Sequence, residues 1–319
     1  MWPCTRPHQN RNRHMNASAQ SDYSTVVIGL GSMGYGIAES LLNAGLRVWG
    51  FDIDPAREAS LRAKGALAGS RNDAIAQSDS VICVVVNAAQ TEDVLFGENG
   101  IAESMMDGAV FVSCATVAPE FARAMSARLA ALGIDYLDAP MSGGSVRAAE
   151  GRLSMMASGA PGAFDRAAPA LDAITETLFR LGDDAGTGSA LKVVNQMLAG
   201  IHIAAAAEAV TFGMSQGIAP ATVLDVISKC AGTSWMFENR VPHIVAGDYT
   251  PHSAVDIFVK DLGIVGNVAH AAKFSAPLTA AALQQFVAAS GAGFGREDDS
   301  AVAKIYARNA NLTLPGDED

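Results

Sequence analysis

The chain has 319 residues, which is long enough for two domains. Because 50% of the residues are hydrophobic and only 17% are charged, buried cores are expected and a mostly disordered protein is excluded. A formal net charge of −11 leaves no basic surface for nucleic acid, so we expect no nucleic-acid partner. The four cysteines are scattered without metal-ligand spacing, so we expect no metal, no disulfide framework and a reducing, cytoplasmic location.

Residues 1–22 differ in composition from the rest of the chain. They contain Arg6, Arg11 and Arg13, no acidic residue before Asp22, and no apolar run of the kind a secretory signal needs. We interpret them as a disordered tail or an over-extended start. An organellar transit peptide is the alternative.

The most informative segment is an apolar strand over 25–29 that enters a glycine-rich turn, Gly29-Leu30-Gly31-Ser32-Met33-Gly34. Gly29 permits the tight turn, Gly31 lets a pyrophosphate approach the backbone, and Gly34 lets the following helix pack closely. A second strand over 47–52 ends at Asp52. The spacing predicts dinucleotide binding, the alternative being an ordinary βαβ turn. Asp52 favours NAD over NADP because its charge repels a 2′-phosphate, although Arg57 follows closely enough to reach over.

Strands and helices alternate along residues 23–186. This alternation predicts an α/β fold, an N-terminal doubly wound Rossmann domain with a mostly parallel sheet. Residues 187–319 show helical periodicity and no convincing strand, which predicts an all-helical C-terminal domain for substrate binding and oligomerisation. Strands are expected at 25–29, 47–52, 80–86, 109–114, 134–137, 153–158 and 177–181, and C-terminal helices at 189–217, 220–229, 235–240, 253–273, 277–290 and 299–308.

The segment Val193–Met214 is apolar and long enough to resemble a membrane span. It nevertheless contains four polar residues and is rich in alanine, which suits close packing between helices. We interpret it as a buried helix and expect no membrane partner. The four polar residues are Asn195, Gln196, His202 and Glu208.

Candidate acid/base chemistry centres on Lys192. None of the tyrosines has a lysine four residues later, and no Cys/His cluster suits a catalytic zinc. Lys192 and Asn195 lie three residues apart near the start of the apolar helix, so they share a face. Burial lowers the pKa of a lysine toward the range of a general acid/base. The alternative is a lysine that reaches the surface.

Two further segments carry polar groups in apolar surroundings. Asp138-Ala139-Pro140-Met141-Ser142-Gly143-Gly144 follows a strand and offers a hydroxyl and backbone N–H groups suited to a carboxylate, or a plain Gly-Gly turn. Lys260 lies in an apolar helix, where a surface ion pair with Asp261 is the alternative to a functional role.

These segments together resemble the β-hydroxyacid dehydrogenase family over about residues 24–310. The matching motifs are Gly29–Gly34, Asp138–Gly144, Gly188–Gln196 and Phe258–Leu262. The resemblance implies an NAD-dependent dehydrogenase of a small hydroxy acid. Non-catalytic relatives that keep the fold are expected to lack the lysine that is present here as Lys192.

The resemblance also assigns residue roles. Lys192 is the general base in oxidation and the general acid in reduction, and Lys260 lies beside the nicotinamide and the substrate. The substrate is held by Asn195, Ser142, Gly143 and Gly144. The cofactor is held by Gly29, Leu30, Gly31, Ser32, Met33, Gly34, Asp52, Asn87, Thr116 and Lys260.

This chain departs from the family pattern at three positions. Ser113 and Ala115 stand where the family has an acid and a serine before Thr116, and Gln196 replaces a second asparagine. These departures leave the acid/base residue in place and concern the contacts to the substrate.

Within the family, the resemblance is to the branch that oxidises L-threonate to 2-dehydro-L-erythronate. It rests on segments 86–90, 234–240, 247–251 and 297–302, in which Asn87, Glu238 and Asn239 could contact a polyol acid. Tartronate semialdehyde (2-hydroxy-3-oxopropionate) reduction and 3-hydroxyisobutyrate oxidation are the alternatives. The alanine-rich helix predicts a homo-oligomer, a homodimer or homotetramer.

Overall fold

The computed structural model describes residues 22–317. The predicted tail over 1–22 therefore lies, except for Asp22, outside the described residues. The chain divides into two units between Ala190 and Leu191, whereas the boundary predicted from sequence lies at 186. Each unit has its own hydrophobic core.

The first unit is built on a five-stranded parallel sheet with the strand order β2-β1-β3-β4-β5. Helices follow the strands in the chain, and this confirms the predicted α/β fold of Rossmann type. The strands are β1 (Ser24–Ile28), β2 (Arg47–Phe51), β3 (Ser80–Cys83), β4 (Val110–Ser113) and β5 (Asp135–Asp138).

The sheet is buried on both faces, and its residues alternate between two cores. In β4, Val110 and Val112 pack into one cluster while Phe111 packs into the other. β1 divides in the same way, with Val27 on one face and Val26 on the opposite face. Such continuously apolar strands are typical of a parallel sheet covered by helices on both sides.

Seven α-helices lie between or after the strands of the first unit. They are α1 (Ser32–Asn43), α2 (Pro55–Ala63), α3 (Arg71–Ile75), α4 (Ala88–Phe96), α5 (Pro119–Ala130), α6 (Gly144–Ala149) and α7 (Pro161–Ile174). The short helices α3 and α6 were not predicted, because each spans fewer than two turns and carries too few apolar positions to show a helical period.

A second, three-stranded sheet differs from the single sheet that the sequence pattern predicts. It contains β6 (Met141–Ser142), β7 (Leu153–Ala157) and β8 (Thr175–Arg180). β6 runs antiparallel to β7, and β7 runs parallel to β8. The two-residue strand β6 is too short to be read from sequence. An isolated bridge between Asp138 and Ser158 links the end of β5 to the residue that follows β7.

The second unit contains helices and no strand among its described residues, as predicted. Its long helix α8 (Thr187–Ser215) begins in the last residues of the first unit. The others are α9 (Pro220–Ile227), α10 (Trp235–Ala246), α11 (Val255–Ala271), α12 (Pro277–Ala289) and α13 (Ala303–Asn309).

A buried ion pair joins α10 to the segment before α13. Arg240 donates through Nε to Oδ1 of Asp299 over 2.5 Å and through Nη2 to Oδ2 over 3.1 Å. The Asp299 carboxylate is fully buried. Burial raises the pKa of Asp299 to about 6, and the Arg240 charge counteracts this rise. Because each charge is buried, the stability of this unit depends on both partners.

Among the described helices, α8 alone has the length and hydropathy of a membrane span. Only 44% of its most apolar window is buried, so the prediction of a buried helix holds for one side of α8 and is wrong for the other. Core helices of soluble proteins share these properties.

Candidate active site

The glycine turn lies between β1 and α1, and its glycines have little room for side chains. Gly29 has a φ of 91°, and a Cβ there would lie 2.4 Å from the carbonyl oxygen of Val84. A Cβ on Gly34 would lie 1.8 Å from the carbonyl oxygen of Gly29. Helix α1 can therefore approach the turn this closely only because position 34 is a glycine.

The start of α1 fits a pyrophosphate. A Cβ on Gly31 would meet only the Arg57 Nη1, at 3.6 Å, so the backbone there is less crowded than at Gly29 and Gly34. Gly31 is also the N-cap residue, and no side-chain hydrogen bond caps this helix. The first-turn N–H groups, together with the positive end of the helix dipole, remain available to an anion.

Asp52 follows β2 and is held against the glycine turn. Its Oδ2 accepts a hydrogen bond from the Leu30 amide over 2.5 Å, and its Oδ1 accepts one from the Asp54 amide over 2.9 Å. Arg57 donates to the Leu30 carbonyl oxygen over 3.0 Å and pairs with Asp54 at 3.4 Å. The carboxylate therefore stays fixed beside the turn, while the guanidinium has partners of its own.

Other predicted residues of the first unit lie after neighbouring strands. Asn87 follows β3 and Thr116 follows β4, and neither is fully exposed. Since β1 to β4 are parallel, their carboxyl ends meet at one edge of the sheet, where ligands bind in open α/β sheets. The Asn87 Oδ1 accepts the Gln90 amide over 2.9 Å and so caps α4, a structural use that its sequence position did not indicate.

The predicted carboxylate-binding segment forms the turn from β6 into α6. Ser142 is half-buried, and Gly143 and Gly144 have φ values of 138° and 75°. A Cβ on Gly143 would lie 3.1 Å from two atoms of the Arg147 side chain. The two glycines therefore make a turn that residues with side chains would strain, and they expose its backbone.

Asp138 has a role that its sequence pattern did not reveal. It is buried, and its Oδ2 accepts the amides of Gly186 (2.9 Å) and Ser189 (2.7 Å). Its Oδ1 accepts the Ser189 hydroxyl over 2.6 Å. Burial raises the pKa of Asp138, and these hydrogen bonds work against the rise. The strand β5 thus caps the start of α8, the helix that carries Lys192.

A glycine lets the first turn of α8 approach this cap. A Cβ on Gly188 would lie 2.4 Å from the Met156 carbonyl oxygen and 2.6 Å from that of Asp138. The Gly188 amide donates to the Ser158 hydroxyl over 3.0 Å. The only sequence signal for this cap is the run of small residues before the apolar helix, and it does not reveal which acid supplies the cap.

Lys192 is buried, with 7% of its surface exposed, so the alternative of a lysine reaching the surface is wrong. Burial is the main cause that lowers the pKa of Lys192, to about 8. The Asp261 charge raises this pKa and the Lys260 charge lowers it. An amine in this range exchanges a proton readily near neutral pH, which suits a general acid/base.

A network of side chains connects the other predicted residues of the second unit. Asp261 accepts Lys260 on Oδ1 and Gln196 on Oδ2, each over 2.5 Å. Gln196 in turn accepts the Asn195 amide over 2.8 Å. Lys260 does pair with Asp261, but the alternative of a surface ion pair placed both residues at the surface, whereas Asp261 is buried, with 2% of its surface exposed. The sequence marked Gln196 as a polar residue of the apolar helix and as a departure from the family pattern, but it gave Asp261 no part in the site.

The described residues contain no group of three or more His, Cys, Asp or Glu that could hold a metal ion. They do contain a glycine turn suited to a dinucleotide and a buried amine suited to proton transfer. This combination defines a class of protein, the oxidoreductases that use a nicotinamide dinucleotide.

Comparison with known proteins agrees with this class. Residues 24–182 match the NAD binding domain of 6-phosphogluconate dehydrogenase, and residues 186–306 match the NAD-binding domain of NADP-dependent 3-hydroxyisobutyrate dehydrogenase. These matches confirm the predicted nicotinamide cofactor.

Several curated relatives cover nearly the whole chain. An L-threonate dehydrogenase of Cupriavidus necator is 52% identical over 91% of this chain and 97% of its own length. One of Escherichia coli K12 is 47% identical over 93% of this chain and 98% of its own length. The crystal structure of a 3-hydroxyisobutyrate dehydrogenase from Salmonella typhimurium is 48% identical, covers 89% and 100% of the two chains, and gives a TM-score of 0.84. The chain belongs to the β-hydroxyacid dehydrogenase family and is an oxidoreductase that acts on a CH–OH group.

Proposed function

We propose that this enzyme oxidises the C2 hydroxyl of L-threonate with NAD to give 2-dehydro-L-erythronate. The observation that carries the chemistry is the buried amine of Lys192, whose pKa is lowered to about 8. The substrate assignment is supported by the relatives named L-threonate dehydrogenase, which are 47% to 52% identical over more than 90% of this chain.

Lys192 is the acid/base residue of this proposal. In the direction of oxidation its neutral amine accepts the proton of the substrate hydroxyl, and in reduction its ammonium group returns a proton to the carbonyl oxygen. NAD, when bound, supplies the acceptor for the hydride. A buried amine with a pKa of about 8 is present in both protonation states near neutral pH, so one residue serves both directions.

The cofactor contacts are proposed for residues of the first unit. The turn from Gly29 to Gly34 and the backbone N–H groups at the start of α1 would take the pyrophosphate, and Asp52 would accept the hydroxyls of the adenosine ribose. Asn87 and Thr116 follow neighbouring strands and would border the same ligand. NAD is preferred over NADP because the Asp52 carboxylate is fixed beside the turn, where a 2′-phosphate would meet its charge. Of the second unit, Lys260 would lie near the nicotinamide.

The substrate carboxylate is proposed to bind the hydroxyl of Ser142 and the backbone of Gly143 and Gly144, with Asn195 contacting a substrate hydroxyl. Exposed N–H groups and a hydroxyl are the donors that a carboxylate requires. Fixing the carboxylate decides which carbon is oxidised, since orientation is a large part of what a protein adds to cofactor chemistry.

A second candidate activity is the oxidation of 3-hydroxyisobutyrate, which is favoured by the similarity to the 3-hydroxyisobutyrate dehydrogenase structure from Salmonella typhimurium. Tartronate semialdehyde reduction is a further family activity. A panel of hydroxy acids assayed with both NAD and NADP distinguishes them. We expect L-threonate with NAD to give the highest kcat/KM. A higher value for another acid would contradict the substrate assignment, and a higher value with NADP would contradict the role given to Asp52.

We further propose a homodimer or homotetramer in the cytoplasm, with residues 23–186 as the NAD-binding domain and residues 187–319 as the substrate and oligomerisation domain. The support is an apolar stripe on α8 formed by Leu191, Val194, Leu198 and Phe212, between 41% and 66% exposed. A stripe of this kind favours packing against a second copy. Analytical ultracentrifugation should show an oligomer for the native chain and a smaller species for Leu198→Glu. A monomeric native chain would refute this proposal.

A further inference from the structure

The ion pair of Lys260 and Asp261 lies in the network that surrounds the acid/base residue. Gln196 follows Lys192 by four residues on α8, so the two side chains share one face of that helix. Gln196 donates to Oδ2 of Asp261 on α11 over 2.5 Å. The Asp261 carboxylate is therefore anchored to the face of α8 that carries Lys192.

Both oxygens of this carboxylate have partners. Oδ2 takes the Gln196 amide, and Oδ1 takes the Lys260 ammonium group over 2.5 Å. Asp261 is almost fully buried, whereas the Lys260 side chain is 23% exposed. A buried carboxylate held on both sides has little freedom to turn, so it fixes where the Lys260 charge lies.

We infer that Asp261 is a positioning residue of the acid/base centre: anchored by Gln196, it holds the Lys260 ammonium group in a neutral pair beside Lys192, and the balance of this pair governs proton release from Lys192. The inference rests on the proposed role of Lys192 as the acid/base. It assigns Asp261 an action through Lys192 and Lys260, without contact to the substrate.

The charged groups around Lys192 support this arrangement. On α8 the next titratable residue is His202, ten residues after Lys192, and the next charged residue is Glu208, about four turns after Lys192. On α11, Asp261 favours the charged form of Lys192 and Lys260 disfavours it, while Asp256 is exposed and accepts the Ser290 hydroxyl. The two members of the pair therefore act on Lys192 with opposite signs, and in the intact pair their effects oppose each other.

Because Asp261 and Lys260 affect the pKa of Lys192 with opposite signs, replacing each of them should shift that pKa in opposite directions. Asp261→Asn leaves the Lys260 cation without its counter-charge, so the pKa of Lys192 should fall. Lys260→Met leaves the Asp261 anion unopposed, so the same pKa should rise. Each shift is expected to be about one pH unit, the lower end of what a nearby charge produces. The double variant removes both charges and should titrate within about half a unit of the native enzyme.

A purely structural role predicts none of this pattern, because loosened packing would move the titration in the same direction for all three variants. The matched control is Lys304→Met. Lys304 is also an ion-paired lysine of the second unit, with Glu297 at 2.7 Å, and its loss should leave the titration of Lys192 unchanged.

The test uses two measurements on the full chain. The first is the pH dependence of kcat/KM for L-threonate oxidation, which should rise with a midpoint near pH 8 and move as stated. The second is a carbon-13 NMR titration of ε-labelled lysine, which is practical because the chain has few lysines and each resonance can be assigned by substitution. The NMR titration follows Lys192 whether or not the enzyme turns over.

Shifts in opposite directions, with the double variant close to native, would support the inference. Equal-signed shifts, or none, would overturn it while leaving Lys192 as the acid/base. If Asp261→Asn does not fold, Asp261→Ser removes the same charge with a smaller side chain, and the pKa of Lys192 should fall in the same way. A wrong assignment of the proposed function would be recognised separately. Lys192→Ala would then keep native turnover, while the NMR titration of the other variants would still show how the Lys260–Asp261 pair affects the pKa of Lys192.

Discussion

Replacing Lys192 by methionine should inactivate the enzyme and at the same time stabilise it. The substitution exchanges a buried amine for an uncharged side chain of similar length. Burial in the folded protein disfavours the charged amine, and the pKa of Lys192 therefore falls from its usual 10.5 to about 8. This difference corresponds to about 3 kcal/mol at pH 7, where the amine is protonated in both the folded and the unfolded chain. Lys192→Met should therefore gain up to about 3 kcal/mol at pH 7.

The sign of the pH dependence provides a second check. Between pH 8 and 10.5 the unfolded chain binds more protons at this position than the folded chain, so native stability rises with pH in this window. The methionine variant lacks this rise, and its advantage should shrink as the pH increases.

Urea unfolding at pH 7 and pH 10 measures both effects. Lys229→Met is the matched control, because Lys229 pairs with Asp225 on the surface and both side chains are more than 70% exposed. Such a pair contributes less than about 1 kcal/mol, and its loss should not depend on pH in this way. A Lys192→Met protein that is less stable than native at pH 7, or whose advantage does not shrink with pH, would refute the reasoning.

Three other substitutions test the fold around the site. Gly34→Ala places a Cβ 1.8 Å from the carbonyl oxygen of Gly29, so α1 must move, and we expect NADH affinity in a fluorescence titration to fall at least about 10-fold. Asp138→Ala leaves two buried amides without their acceptor and should destabilise the protein by about 3 kcal/mol in urea unfolding, since each unpaired group costs about 1–3 kcal/mol. Arg240→Met leaves the Asp299 carboxylate buried without its cation, and thermal unfolding should show a loss of about 3–5 kcal/mol.

Each of these substitutions has a matched control. Gly162→Ala introduces a Cβ that meets only the Arg166 Nη1, at 3.9 Å, and should leave NADH affinity unchanged. Asp138→Asn keeps one carbonyl oxygen as an acceptor and should lose less than Asp138→Ala. Arg240→Met combined with Asp299→Leu removes both charges of the pair and leaves Asp298, which lies 4.0 Å from the guanidinium and is also buried, so it should recover part of the stability lost by the single change. Equal losses in each comparison would contradict the contacts that we assign.

The strands and helices whose apolar residues recur at a regular spacing were predictable from the sequence. The strands β1 to β5 are short apolar runs, and their register places the glycine turn, Asn87 and Thr116 at one edge of the sheet. The small sheet was not predictable as a separate element, because β6 has two residues and its antiparallel pairing with β7 depends on the turn at Gly143 and Gly144.

In the site too, features set by neighbouring residues were predictable, and contacts between residues far apart in the sequence were not. The burial of Lys192 followed from an apolar helix face, which is a local property. The partners of that helix are distant in sequence: Asp138 lies 51 residues before Ser189, and Asp261 lies 65 residues after Gln196. No local pattern pairs such residues, so the roles of both acids were missed although each lies within a motif of the family.

The central claim is that the Lys192 amine exchanges a proton with the substrate hydroxyl. The most direct measurement is kcat for L-threonate oxidation by Lys192→Ala, with the dissociation constant of NADH measured alongside. We expect kcat to fall about 10²- to 10⁴-fold, the usual effect of losing a general acid/base, while NADH binding changes little. Turnover close to that of the native enzyme would contradict the account.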